Sequence, residues 1–473
     1  MVLMVFNTFG MRKEQFMPLR TNEVRMYVCG PTVYDFIHIG NARAFVVADV
    51  IRRYFEYKGL KVRFVSNITD VDDKTIKRAK EEGMSLQQLG EKYSNAYFED
   101  LAALNVKSPD VNPRATQHIS EIIESIQTLI KKGYAYTTNG DVYFDVAKFE
   151  DYGKLSGNKT EALEMGARIE VNPNKRNPAD FALWKKQKRG EPAWHSPWGK
   201  GRPGWHIECS TMAMKYLGKT FDIHMGGKDL IFPHHENELA QAEAVTKRPF
   251  ARYWLHNEWL TIDGKKMSKS LGNFITVRDA LKMCKPQVLR FFLVSAHYRS
   301  PMDFNRENLK LTESNLERIV NMAERFSAME ERTNRTPEEE KLLAEVRKAK
   351  ERFEEAMDDD FNTPLAISAI FDVVKAVNSY VEKNGKIETS AKKEIYETFT
   401  KLLDVLGIKL EVTEQKTVQA EDIRNLMALI IEIRQELRKR GDWKTADEIR
   451  DKLQKIGFVL EDTVEGTRWK MKF

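Results

Sequence analysis

The apolar residues of this chain change period along its length, and the changes predict elements. Val24 to Val28 is β-branched and aromatic and reads as a strand, closed by Cys29-Gly30-Pro31. Between Asn41 and Lys58, Phe45, Ala48, Ile51 and Phe55 recur at helical spacing, and Gly59 supplies a stop. Val62 to Val65 is a second strand. Strand, crossover helix and strand make a βαβ unit, so a parallel sheet is expected. Glu121 to Lys132 is helical, and Tyr134 to Phe144 reads as a hairpin about Asn139-Gly140. A second α/β stretch runs from Trp205 to Ile262. Its strand-like pieces lie near Phe221 to His224 and Trp259 to Ile262, and its helix is opened by Pro233. A sheet divided in this way by an insertion would bring its halves to one crevice at the strand carboxyl ends.

After about Asn305 the pattern is helical to near Leu406. Thr336-Pro337-Glu338-Glu339 is a capping box with proline at the first helical position. Leu342, Val346, Ala349, Phe353 and Ala356 then mark one face of a bundle helix. From about Glu421 a helix runs to Gly441-Asp442-Trp443. A second helix reaches Lys455, and Phe458-Val459-Leu460 is strand-like. The expected fold is α/β: a split Rossmann-type parallel-sheet domain with an insertion, then an α-helical bundle and a small α+β module. The boundaries expected are 1–120 and 204–265 for the two sheet halves and 121–203 for the insertion. A loop and stem-contact region at 266–316 follows, then a bundle at 317–410 and the terminal module at 411–473.

Composition narrows the class. At 473 residues, 42% hydrophobic and 31% charged, the chain can build several cores. No apolar run in the sequence approaches a membrane span, and the start lacks a signal-peptide layout. Three cysteines, at 29, 209 and 284, exclude a disulfide scaffold and favour a reducing, cytoplasmic setting. The net charge of +6 is modest. Locally it is not: between Pro173 and Arg202, eight basic residues face only Asp180 and Glu191, with Trp184, Trp194 and Trp198 interleaved. Such a stretch can grip phosphates.

Two short motifs carry chemistry. His38-Ile39-Gly40-Asn41 lies between the first strand and helix. Its glycine permits close backbone approach, and the helix amino end offers N–H groups to a phosphate. Lys266-Met267-Ser268-Lys269-Ser270 follows Asp263-Gly264, where two ammonium groups can neutralise a departing polyphosphate. Neither G-x-x-x-x-G-K-[ST] nor G-x-G-x-x-G occurs, so P-loop and dinucleotide readings lose support.

In this order the two motifs resemble those of class I aminoacyl-tRNA synthetases. Tyr27-Val28-Cys29-Gly30-Pro31-Thr32-Val33-Tyr34, Gly204-Trp205-His206-Ile207-Glu208-Cys209-Ser210 and Gly226 to Glu238 are similar to blocks of the cysteinyl-tRNA synthetase family. The tail, with Asp442-Trp443, Ala446-Asp447, Ile449-Arg450-Asp451 and Leu460 to Thr463, resembles that family's anticodon-binding module. The resemblance runs from about residue 19 to the carboxyl end.

The resemblance implies that cysteine and ATP, with magnesium, form cysteinyl-adenylate, and that cysteine then passes to the terminal ribose of tRNA(Cys). It implies one zinc per chain on Cys29, Cys209, His234 and Glu238, a donor set suited to zinc, with the last two on one helix face. It assigns catalysis and ATP binding to His38, Gly40, Asn41, Lys266, Ser268 and Lys269, and substrate contacts to Gly30, Thr69, Trp205 and Asp229. His206, His224 and His256 would tune the thiolate. The family usually carries a second histidine where Asn41 stands, which leaves no charged imidazole at that point. Cys284 is expected to be structural. The insertion is too short for a separate editing fold. A monomer with no membrane partner is expected. Two rivals, a cysteine ligase acting on a small amine and a non-catalytic RNA-binding paralogue, fit less well. The bundle and tail weigh against the first, and the intact motifs against the second.

Overall fold

The computed structural model describes residues 2–157, 174–267, 272–410, 420–455, 457–463 and 466–471. Contacts divide the chain into two compact units, 1–410 and 411–473.

The first unit is built on a four-stranded, wholly parallel sheet. Its strands are β1 (Glu23–Val28), β2 (Lys61–Ser66), β3 (Phe221–Gly227) and β4 (Ala251–Asn257), in the order β4-β3-β1-β2. Residues far apart in sequence therefore meet where β1 pairs with β3. Helix α1 (Ile39–Tyr57) crosses from β1 to β2 and buries Phe45, Ala48, Ile51 and Phe55, the predicted face. Phe45, Ile51 and Phe55 each contribute roughly 1.5–3 kcal/mol by leaving water. Arg43 of α1 is also buried, and its guanidinium donates to the carbonyls of Glu258, Trp259, His297 and Ser300 at 2.6–3.2 Å.

The second half departs from expectation in three ways. Helix α2 (Trp205–Leu217) and the edge strand β4 were not read from the pattern, because both are buried on more than one face and lack a single apolar stripe. Leu260–Ile262 does form a strand, but in a separate sheet with Lys265–Lys266 and Met302–Phe304. The helix expected at Pro233 begins only at Glu236, as α3 (Glu236–Thr246). Before it Phe232 is extended (φ −136°, ψ 132°), the conformation that a following proline favours.

Residues 135–203 contribute an antiparallel sheet of Ala135–Thr138, Asp141–Phe144, Phe181–Lys186 and Gly201–Pro203. Asn139 and Gly140 both take positive φ, as a two-residue hairpin turn requires. Four long helices follow: Arg306–Ser327, Pro337–Asp358, Thr363–Lys383 and Thr389–Val405. The Glu339 carboxylate accepts from the Thr336 N–H at 2.8 Å, the reciprocal half of the predicted capping box. One correction concerns the membrane. Thr363–Lys383 is long and apolar enough to cross a bilayer by composition. It is instead a bundle helix with Ala366, Ala369, Ile370, Val373, Val374 and Val377 buried.

The amino-terminal strands Met4–Asn7 and Arg12–Gln15 pair with each other and tie two regions together. The Phe6 N–H donates to the fully buried Asp360 carboxylate, which also accepts from Tyr298 Oη and Arg299 Nε, each at 2.7 Å. Thr8 Oγ1 meets His256 Nδ1 at 2.8 Å.

The second unit packs Ala420–Lys439 and Trp443–Lys455 against a hairpin of Phe458–Thr463 and Gly466–Met471. Met427, Leu453 and Leu460 form its core. Gly441, at φ +82°, turns the chain between the helices.

Candidate functional site

The site lies at the carboxyl end of the parallel sheet, where β1 and β3 adjoin. Cys29 directly follows β1, Cys209 sits on α2, His234 in the turn before α3, and Glu238 on α3. All four are buried, the most open being Cys29 at 8%. One ligand atom from each lies within 4.8 Å of every other. Tetrahedral zinc with Zn–S near 2.3 Å and Zn–N/O near 2.0 Å places its donors about 3.3–3.8 Å apart, so the set fits such an ion. Contacts inside the cluster are direct: His234 Nε2 to Glu238 Oε1 at 2.9 Å, and Cys29 Sγ to Glu238 Oε1 at 3.3 Å.

A shell of imidazoles surrounds the four. His224 Nε2 meets Glu238 Oε2 at 2.9 Å, and His234 Nδ1 meets His206 Nδ1 at 2.8 Å. His235 Nε2 approaches Cys29 Sγ at 3.3 Å, and its Nδ1 meets His256 Nε2 at 2.8 Å. Cys29, His224, His235 and Glu238 form a second group whose donors also lie within 4.8 Å, sharing two residues with the first. Trp205 stacks on His234 at 4.1 Å, and Trp254 on His224 at 4.5 Å.

Burial disfavours the Glu238 carboxylate, but His224 and His234 outweigh it and hold its pKa down at about 2. Burial likewise pushes His234 down, yet Glu238 and Cys209 raise it to about 10. His206 and His235 are driven below the usual imidazole range by burial, and His256 to about 3.

The four residues expected to contact the substrate occupy different settings. Thr69 is buried, and its backbone pairs with the loop after Cys29 through Thr69 N–H to Pro31 O and Val33 N–H to Thr69 O. The Gly30 N–H donates to Asn67 Oδ1 at 2.9 Å, and a Cβ at Gly30 would sit 1.6 Å from the Asn67 carbonyl oxygen, so only glycine fits. Trp205 covers His234 while remaining 38% exposed. Asp229 is exposed in the short turn that follows β3.

The phosphate-type motifs meet across α1. His38 is the N-cap of that helix: its Nδ1 accepts from the Asn41 N–H at 3.1 Å, and Asn41 Oδ1 accepts from the His38 N–H at 3.4 Å. Asn41 therefore caps the helix, and the acceptor role of His38 Nδ1 leaves Nε2 as its proton-bearing atom. A Cβ at Gly40 would lie 3.4 Å from Met267 Cε, and His38 lies edge-on to Phe274. Lys266 is exposed, with its ammonium 5.0 Å from the Trp259 ring centre. Ser268 and Lys269 lie outside the described residues. Cys284 is half-buried, its thiol pushed up to about 11 by burial, and its Sγ lies 3.5 Å from Ala280 O. It belongs to neither donor group.

The sequence reading missed His235 and Glu208. A signal for the first existed in the His234-His235 doublet ahead of a helix. Glu208 carried none, since one acid on a helix normally faces water.

A parallel sheet with its donor residues at the β1–β3 switch point is an open α/β ligand-binding fold, and the family comparison places it among the class I aminoacyl-tRNA synthetases. The family model for the "tRNA synthetases class I (C) catalytic domain" matches residues 15–314, that for the "DALR domain" residues 352–411, and that for the "Cysteinyl-tRNA ligase anticodon binding domain" residues 429–469. The cysteine–tRNA ligase of Thermococcus onnurineus is 51% identical and that of Thermococcus gammatolerans 49%, each over 99% of both chains. A solved Mycobacterium tuberculosis methionyl-tRNA synthetase shares the fold, with TM-score 0.61 at 17% identity over 81% of this chain and 89% of its own. The chain belongs to the cysteine–tRNA ligase family.

Proposed function

We propose that this chain joins cysteine to tRNA(Cys) in two steps, ATP-dependent formation of cysteinyl-adenylate and transfer to the tRNA terminal ribose, and selects its amino acid with a zinc ion held by Cys29, Cys209, His234 and Glu238. The observation that carries the reading is the buried convergence of two thiols, an imidazole and a carboxylate within 4.8 Å. When bound, zinc favours the substrate thiolate over serine's hydroxyl, which stays protonated and ligates poorly. Shape alone separates near-isosteres by only about 1–3 kcal/mol.

In the first step the cysteine carboxylate attacks the α-phosphate of magnesium-ATP and pyrophosphate leaves. The α1 amino end and His38 Nε2 donate to phosphate oxygens, and Gly40 keeps the approach open. Asn41 holds the His38 ring in that pose. Lys266, with Ser268 and Lys269 after it, meets the charge on departing pyrophosphate. Trp205 keeps His234 oriented, and Asp229 borders the pocket mouth. In the second step the adenylate passes cysteine to the tRNA terminus. The basic residues of the insertion, Lys185 and Lys186 at the end of a sheet strand and Lys188 and Arg189 in the loop after it, bind the acceptor end. The terminal unit reads the anticodon.

The decisive experiment charges purified tRNA with a panel of amino acids after metal removal and after zinc restoration. Cysteine-specific charging that disappears with the metal and returns with zinc is expected. Cysteine charging that persists without metal, or equal use of serine, would overturn the reading.

A further inference from the structure

A chain of hydrogen bonds whose polarity is set from its Gly30 end runs to a buried acid with no assigned role. The Gly30 N–H can only donate, so Asn67 must present Oδ1 to it, at 2.9 Å. That choice turns Asn67 Nδ2 toward Thr69 Oγ1, at 3.3 Å, where it donates. Thr69 Oγ1 then donates its one hydrogen to Glu208 Oε2 at 3.1 Å. A hydroxyl has one donor and two acceptor positions. The donor is committed to Glu208 and one lone pair to Asn67, so Thr69 can offer only a lone pair to a ligand. Glu208 is fully buried, one residue before Cys209, and its Oε1 has no hydrogen-bond partner among the described residues.

We propose that Glu208 is a positioning residue for amino-acid selection: by holding the Thr69 hydroxyl as an acceptor, it makes the ground beside the thiol site a receptor for the substrate's ammonium group. The inference rests on the reading above, in which the thiol of cysteine sits at Cys29, Cys209, His234 and Glu238. The geometry suits that reach. The sulfur and amine of cysteine are joined through two carbons, and Thr69 pairs by its backbone with the loop that starts at Cys29. An N–H donor at Thr69 would be welcomed. A carboxylate turned there would meet only lone pairs, so the chain also orients the substrate, sending its carboxylate toward the nucleotide. The argument needs an acceptor at Oε2, which the carboxylate supplies and which the carboxylic acid also supplies when its proton is on Oε1, the oxygen without a partner among the described residues.

The test uses two thiols that each lack one end of cysteine. Cysteamine keeps the amine without the carboxylate, and 3-mercaptopropionate keeps the carboxylate without the amine. Their inhibition of cysteine-dependent ATP–pyrophosphate exchange is measured for the wild type, Glu208→Ala and Glu208→Gln, with zinc content by elemental analysis. In Glu208→Ala the inhibition constant for cysteamine and the KM for cysteine should rise about tenfold, as for a lost hydrogen bond to a charged group. The constant for 3-mercaptopropionate, the KM for ATP and the zinc content should not change. Glu208→Gln keeps an oxygen that can accept from Thr69 and should show the same selectivity at smaller size, which also serves if the alanine variant folds poorly. Equal weakening of both thiols, or no weakening of cysteamine, overturns the proposal. Failure of both thiols to compete in the wild type overturns the thiol-site reading beneath it.

Discussion

The regions proposed to hold the amino acid and the nucleotide are built on opposite plans. At the amino-acid end the four donor residues are at most 8% exposed and their partners are imidazoles packed under tryptophan. At the nucleotide end Asn41 and Lys266 are exposed and His38 is half-buried. The contrast follows from the tasks. Telling sulfur from oxygen needs donors that have already shed water and hold one geometry. Meeting the charge of a triphosphate needs only cations and N–H groups within reach, and their hydration is displaced by the ligand itself.

The contrast can be broken from either side. Cys209→Ser should have the largest effect: the metal site loses a thiolate, and cysteine activation should fall by about four orders of magnitude, the scale on which a site built around one polar partner discriminates. Elemental analysis showing full zinc retention with normal exchange would remove the assignment. Lys266→Ala should slow adenylate formation about a hundredfold in single-turnover measurements, comparable to losing one preorganised donor, with zinc content unchanged. Lys269→Ala should behave alike, and unaltered activation in both would dissolve the nucleotide-end reading. His235→Ala removes a partner of Cys29 and should weaken zinc affinity about tenfold to a hundredfold in chelator competition. Unchanged affinity would mean that the imidazole shell is only packing. The smallest effect is expected for Asn41→Ala, about 1 kcal/mol of stability by denaturant unfolding, because its side chain caps α1.

The legibility of the chain divides along similar lines. Helix α1 and the bundle helices were readable because each buries one stripe. Phe45, Ala48, Ile51 and Phe55 form one, and Leu342, Val346, Ala349, Phe353 and Ala356 another. β4 and α2 were not, because Tyr253, Trp254 and Leu255 are consecutive and all buried, and Ile207 through Ala213 are buried without a break. Cys29 and Cys209 could be paired only through family resemblance, since nothing local shows that β1 and β3 adjoin. Glu208 was illegible for a related reason, and His235 was signalled only by the His234-His235 doublet. Each is a polar group placed in the core by the tertiary fold, and its role is set by partners distant in sequence.

The family match to the catalytic domain begins at residue 15, but the folded body begins earlier. Phe6 supplies a backbone donor to Asp360, and Thr8 supplies a partner to His256. A fragment trimmed to the matched boundary would strip Asp360 of a donor and His256 of its hydroxyl partner. Removing this segment would disturb the bundle joint at Asp360 and the imidazole shell around the thiols together.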